Sequence, residues 1–135
     1  MRIVVIDGQG GGVGKALIEA LATACPHAEL IAVGTNATAT ANMMKGGTMN
    51  GATGENAVIY NCSRADVIVG PMGIVMANAM LGEITPRMAE AVSTAEAELF
   101  LIPMNRCHAT VVGVENKRLA DYIKEAVDRI AEIQK

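Results

Sequence analysis

Apolar positions along the chain fall into two kinds of run that take turns. Residues 3–6, 30–33, 66–69 and 99–102 are short and nearly continuous in their hydrophobicity, as expected of strands covered on both faces in a parallel sheet. Between the first two of them, Val13, Leu17, Ile18, Leu21 and Cys25 recur at helical spacing, and Pro26 predicts a helix end near Cys25. Further helices are predicted over residues 37–45, 55–61, 74–81 and 86–94, the last with Thr85 as N-cap and Pro86 in its first turn. A C-terminal helix shows Leu119, Ile123, Ala126, Val127 and Ile130 on one face. Residues 110–114 read as a fifth strand. Only seven residues separate it from the fourth, too few for a helical crossover, so it is expected to run antiparallel. The pattern predicts one α/β domain, Rossmann-like and doubly wound, with a mainly parallel five-stranded sheet and helices on both faces.

The first strand runs directly into Asp7, Gly8, Gln9, Gly10, Gly11, Gly12, Val13, Gly14 and Lys15. Glycines let the backbone turn sharply and approach a ligand without a Cβ, and the first amides of the following helix then face the strand end, a geometry suited to phosphate. Three spacings test this. The pattern G-x-G-x-x-G, registered on Gly11 and Gly14, begins on Gln9 and fails by one residue. The phosphate-loop pattern G-x-x-x-x-G-K-[ST] also begins on Gln9 and ends on Ala16, so it lacks the hydroxyl that would hold magnesium. The spacing G-x-x-x-G-x-G is met by Gly8, Gly12 and Gly14, and the stretch resembles the cofactor turn of short-chain dehydrogenases, which implies NAD(P). A tight strand-to-helix turn without a ligand is the alternative.

Parallel strands would bring three more turns to the same sheet edge, where open α/β sheets bind ligands. These are Gly34, Thr35 and Asn36; Gly70, Pro71, Met72 and Gly73; and the stretch holding Arg106, Cys107 and His108. Arg106 suits a phosphate or carboxylate, or is a solvated surface arginine. No carboxylate ends the second strand. That withdraws the usual NAD ribose contact and eases a 2′-phosphate, while no arginine nearby favours NADP; other adenine nucleotides stay open. Residues 35–54 carry Lys45 as their sole charge and read as a helix and a glycine-containing loop that wraps a ligand or makes a surface or oligomer contact. Met43 and Met44 read as core or interface.

Composition narrows the classes. With 135 residues and a net charge of −3, interspersed in sign, the chain has no basic footprint for nucleic acid. Its three aromatics, Tyr60, Phe100 and Tyr122, offer no stacking platform for bases. Three cysteines at unrelated spacings look like the reduced thiols of a cytoplasmic protein. The first apolar run is too short for a signal peptide, and no run approaches the roughly 18 residues of a membrane span. A hydrophobic share of 51% with almost no aromatics fits a small domain hiding surface in a homo-oligomer.

Tyr60 and Arg64 imitate the Tyr-x-x-x-Lys pair of short-chain dehydrogenases, but arginine does not share protons as lysine does, and the pair precedes the third strand. Cys107 and His108, even with Cys62 or His27, match no zinc spacing, so no metal site is expected. Asp7 could bind a ribose, orient Lys15 or cap the turn, the last being commonest. A phosphotransferase is disfavoured by Ala16 and by having only Asp7 and Asp66 as magnesium carboxylates. Over nearly its whole length, on Ile-Asp-Gly-Gln-Gly-Gly-Gly-Val-Gly-Lys and Val-Gly-Pro-Met-Gly, the sequence is similar to a family of small bacterial Rossmann-like proteins known as a domain of unknown function. The resemblance implies a cytoplasmic α/β protein and no particular reaction. The expected function is a small nucleotide- or dinucleotide-binding protein, NAD(P) slightly ahead; the alternative is a non-enzymatic oligomeric interaction or regulatory subunit.

Overall fold

The computed structural model describes residues 1–104 and 108–133. Its central strand is β1 (Arg2–Asp7). Ile3 and Val5 face one core layer and Val4 and Ile6 the other, so the unbroken apolar run is two alternating faces that are both covered. Along the chain follow α1 (Gly12–Ala24), β2 (Glu29–Gly34), α2 (Ala37–Met44), β3 (Gly51–Thr53), α3 (Glu55–Cys62), β4 (Val67–Pro71), a single-turn 3₁₀ helix (Met72–Val75), α4 (Pro86–Ser93), β5 (Glu98–Ile102) and α5 (Leu119–Ile133). The strand order is β3-β2-β1-β4-β5, and every neighbouring pair is parallel.

One face of the sheet is covered by α1 and α5 through Leu17, Ile18, Leu21, Ile123, Val127 and Ile130, joined by Met43 from α2. The other is covered by α3 and α4 through Val58, Cys62, Met88 and Val92, with Ile74 and Ile84 from the segment between β4 and α4. Thr85 caps α4 as its position before Pro86 suggests, its hydroxyl accepting the Met88 amide at 3.2 Å. The chain leaves β1 toward β2 and later returns on the other side as β4. The carboxyl end of β1 is therefore the switch point of the sheet, where a crevice opens.

Two expectations are corrected. The fifth strand is β3, pairing parallel with the end of β2 through Ala32↔Gly51 and Gly34↔Thr53, and the whole sheet is parallel. Residues 110–114 form no strand. The Val114 amide instead closes a local turn onto the Val111 carbonyl at 3.4 Å, with Gly113 at a φ of 89°, so β-branched composition is spent on an exposed turn. The helix expected over residues 74–81 also stops early. Asn78, Met80 and Leu81 have φ of 68°, 58° and 57°, a left-handed conformation that ends any right-handed helix. Chain-reversing bonds replace it: Asn78 donates to the Ile84 carbonyl at 2.6 Å and Ile84 to the Ala79 carbonyl at 3.2 Å, with the Ile84 side chain buried beneath them.

Candidate functional site

The glycine stretch folds as a turn held from within by Asp7, which is 4% exposed. Its carboxylate accepts the Gly8 amide at 2.8 Å and the Gly14 amide at 2.7 Å. Gly11, the N-cap of α1 at a φ of 73°, has no side chain to cap with, so the last residue of β1 does it instead. Burial pushes the Asp7 carboxyl above its ordinary value, against the Gly14 and Gly8 amides that favour the charge. Of the roles open to Asp7, capping is the one its geometry displays.

Three side chains clamp the turn from outside. Asn36 Nδ2 donates to the Gln9 carbonyl at 3.0 Å and Asn42 Nδ2 to the Gly10 carbonyl at 2.9 Å. Glu83, from the loop before α4, accepts on one oxygen from the Gln9 amide at 2.8 Å, the Thr35 hydroxyl at 2.5 Å and Asn36 Nδ2 at 3.0 Å. The Thr35 bond first, then the Gln9 amide, holds the Glu83 carboxyl below its ordinary value. No sequence signal marks Glu83, which lies 48 positions from Thr35. The second strand does end beside a carboxylate, supplied by a different element, so its surroundings are less hospitable to a 2′-phosphate than its own residues suggest.

The glycines divide by what surrounds them. A Cβ on Gly11 would lie 2.6 Å from the Ala39 carbonyl, one on Gly14 2.8 Å from Met43, and one on Gly8 2.6 Å from the Met80 sulfur. Internal packing demands those three. Around Gly10 and Gly12 no atom of the described residues beyond the adjoining backbone lies within 4 Å of such a Cβ, and neither has a left-handed φ.

Both border a cleft of about 690 Å³ at the carboxyl edge, within the roughly 300–1,000 Å³ typical of cofactor sites. The turn, Asp7 to Val13, forms one wall. Pro71, Gly73 and the left-handed loop, Met76 to Leu81, form the other, and Met104, His108 and Leu119 close the end. The cleft thus opens toward β4 and β5. Of the candidate residues, Asp7, Gly8, Gln9, Gly10, Gly11, Gly12, Val13, Pro71 and Gly73 line it. Gly14, Lys15, Gly34, Thr35, Asn36, Gly70 and Met72 do not; Gly70 is packed against the Ile6 carbonyl. Arg106 and Cys107 lie outside the described residues. His27 precedes β2, at the opposite edge from His108. Residues 37–44 and 51–53 pack at the sheet edge as α2 and β3, Met43 is 0% exposed, and none of residues 35–54 lines the cleft. Tyr60 and Arg64 stack at 5.2 Å on the exposed side of α3, away from it. Cys62 is buried, which pushes its thiol up to about 11.

A family model described as "Domain of unknown function (DUF3842)" matches residues 2–135. No curated protein matches the chain. Among solved structures it is similar to a dodecameric FMN-dependent Ubix-like decarboxylase from Escherichia coli O157:H7, at 20% identity and a TM-score of 0.49, over 96% of this chain and 76% of that one.

Proposed function

The chain belongs to the DUF3842 family, and we propose that it binds a nucleotide, with a phosphate seated on the outer face of the glycine turn and the aromatic part lying against the apolar loop, Met76 to Leu81. The observation that carries this is the open space at Gly10 and Gly12. A backbone that needs no glycine for its own packing or conformation, and bears two facing a cleft, is suited to a ligand approaching closer than a Cβ allows. Asp7 and Glu83 consume the Gly8, Gly14 and Gln9 amides, and Gly11 donates to the Gly8 carbonyl at 2.9 Å. The Val13 amide also favours the Asp7 charge, and among the described residues the Gly10 and Gly12 amides are those left for an anion at the start of α1. Among the described lining residues His108 is the one side chain that can carry positive charge, so the backbone supplies most of the anion's contacts. NAD(P), flavin and adenine nucleotides share this phosphate chemistry.

The test is a binding titration of ligand-stripped wild type, Gly10→Ala and Gly12→Ala with FMN, AMP, ADP, NAD and NADP. Both variants should keep the wild-type denaturation midpoint, within about 1 kcal/mol, because no atom is displaced. Affinity for the bound nucleotide should fall about tenfold or more, as one lost backbone contact to phosphate predicts. Wild type that binds nothing on the panel, or variants that bind as well as wild type, would sink the reading.

A second reading, an oligomeric interaction or regulatory subunit, is favoured by a separate observation. Val111, Val112 and Val114 are exposed to 47%, 93% and 42% on the segment between β5 and α5, an apolar cluster that self-association would cover.

A further inference from the structure

We infer that Glu83 sets the size class of the ligand: by filling the space between the glycine turn and the end of β2, it restricts the site to mononucleotides and excludes dinucleotides. The inference rests on the nucleotide reading above. In a doubly wound sheet a dinucleotide straddles the switch point, with one nucleoside over each half and its adenine-side ribose at the end of the second strand. Here the half over β2 is occupied. Three donors, the Gln9 amide of the turn and the Thr35 and Asn36 side chains just beyond β2, converge on one Glu83 oxygen. Asn36 adds a second bridge to the Gln9 carbonyl, and the Met80 sulfur sits over Gly8. The open cleft accordingly reaches only the β4 and β5 side, and Gly34, Thr35 and Asn36 are absent from its walls.

A second nucleoside would have to break these bonds to a charged acceptor and then lie beside its carboxylate. Hydrogen bonds of that kind are the stronger ones, and an oxygen already shared by three donors is not free to take the ribose hydroxyl that a carboxylate at this place in a dinucleotide site would bind. The substitution Glu83→Gln keeps a carbonyl oxygen for the same three donors and nearly the same volume. Glu83→Ala empties the space. Filling, as distinct from charge, therefore predicts that glutamine preserves the exclusion and alanine relieves it.

Matched pairs make the measurement: FMN against FAD, and AMP and nicotinamide mononucleotide against NAD, titrated into full-length wild type, Glu83→Gln and Glu83→Ala, with circular dichroism as the check on folding. Wild type should prefer a mononucleotide to the dinucleotide containing it by about a hundredfold, Glu83→Gln should keep that preference, and Glu83→Ala should narrow it by about tenfold or more. Equal wild-type affinity for both members of a pair overturns the inference, whatever the variants do. So does a folded Glu83→Ala with an unchanged preference, or a Glu83→Gln that narrows it as far as alanine. In these cases mononucleotide binding survives and only the role of Glu83 falls. Wild type that binds no member of any pair overturns the nucleotide reading and this inference with it.

Discussion

Asp7 and Glu83 hold the same turn from opposite sides, and burial separates their acid–base behaviour. Asp7 is drawn out of water, so its native carboxyl lies above the ordinary 3.8. The native state then holds that proton more tightly than the unfolded chain does. Its contribution to stability is complete below the ordinary value and is lost as pH rises through the raised native one. Glu83 is stabilised as a charge by its donors and lies below the ordinary 4.5. Its contribution is complete above that value and is lost as pH falls through the lowered native one. Urea denaturation between about pH 3 and 7 should therefore show a steeper acid loss in Asp7→Asn than in wild type and a shallower one in Glu83→Gln. Curves parallel to wild type in both variants would refute this account of the two carboxyls.

Among the elements, the loop between the 3₁₀ helix and α4 departs furthest from a relaxed backbone, the glycine turn having one left-handed non-glycine residue, Gln9 at a φ of 49°. Three of its non-glycine residues are left-handed, at an ordinary cost of about 1–2 kcal/mol each, and such strain gathers where structure serves a ligand. The loop is retained because Ile84 is buried at its base and Glu83 ties it to the glycine turn. Leu81 is 98% exposed and gives its strain no compensating burial. Leu81→Gly should raise the unfolding free energy by about 1 kcal/mol, read by chemical denaturation. A decrease would mean that the side chain packs in solution in a way this conformation does not contain.

For the molecule as a whole, β5 pairs with β4 alone among the described strands, and the segment after it carries its valines outward. Self-association through that side would hide both a strand edge and an apolar cluster. Sedimentation velocity should give a mass above that of one chain for wild type, and Val112→Asp should shift it toward the monomer. A monomeric wild type at tens of micromolar, on the order of usual working concentrations, would remove the oligomer from consideration.

What could be read from the chain alone was whatever depends on neighbours in sequence. The four long strands, the helices that cover them, the Thr85 cap and the glycine turn all follow from local periodicity and the conformational freedom of particular residues. So does the Asp7 cap, whose donors are one and seven positions away. Strand β3 was illegible because three residues, Gly51, Ala52 and Thr53, carry no pattern and become a strand only by pairing with β2. Residues 110–114 misled for the converse reason, having β composition but no strand beside them. The left-handed loop hid behind an apolar run that resembles a helix, and it is set by the depth at which Ile84 must be buried. Tertiary structure alone divided the glycines into three that packing requires and two that face open space, and it brought Glu83 across 48 positions to Thr35. Those two facts shape the candidate site, and both arise from the distance between groups that the order of residues does not contain.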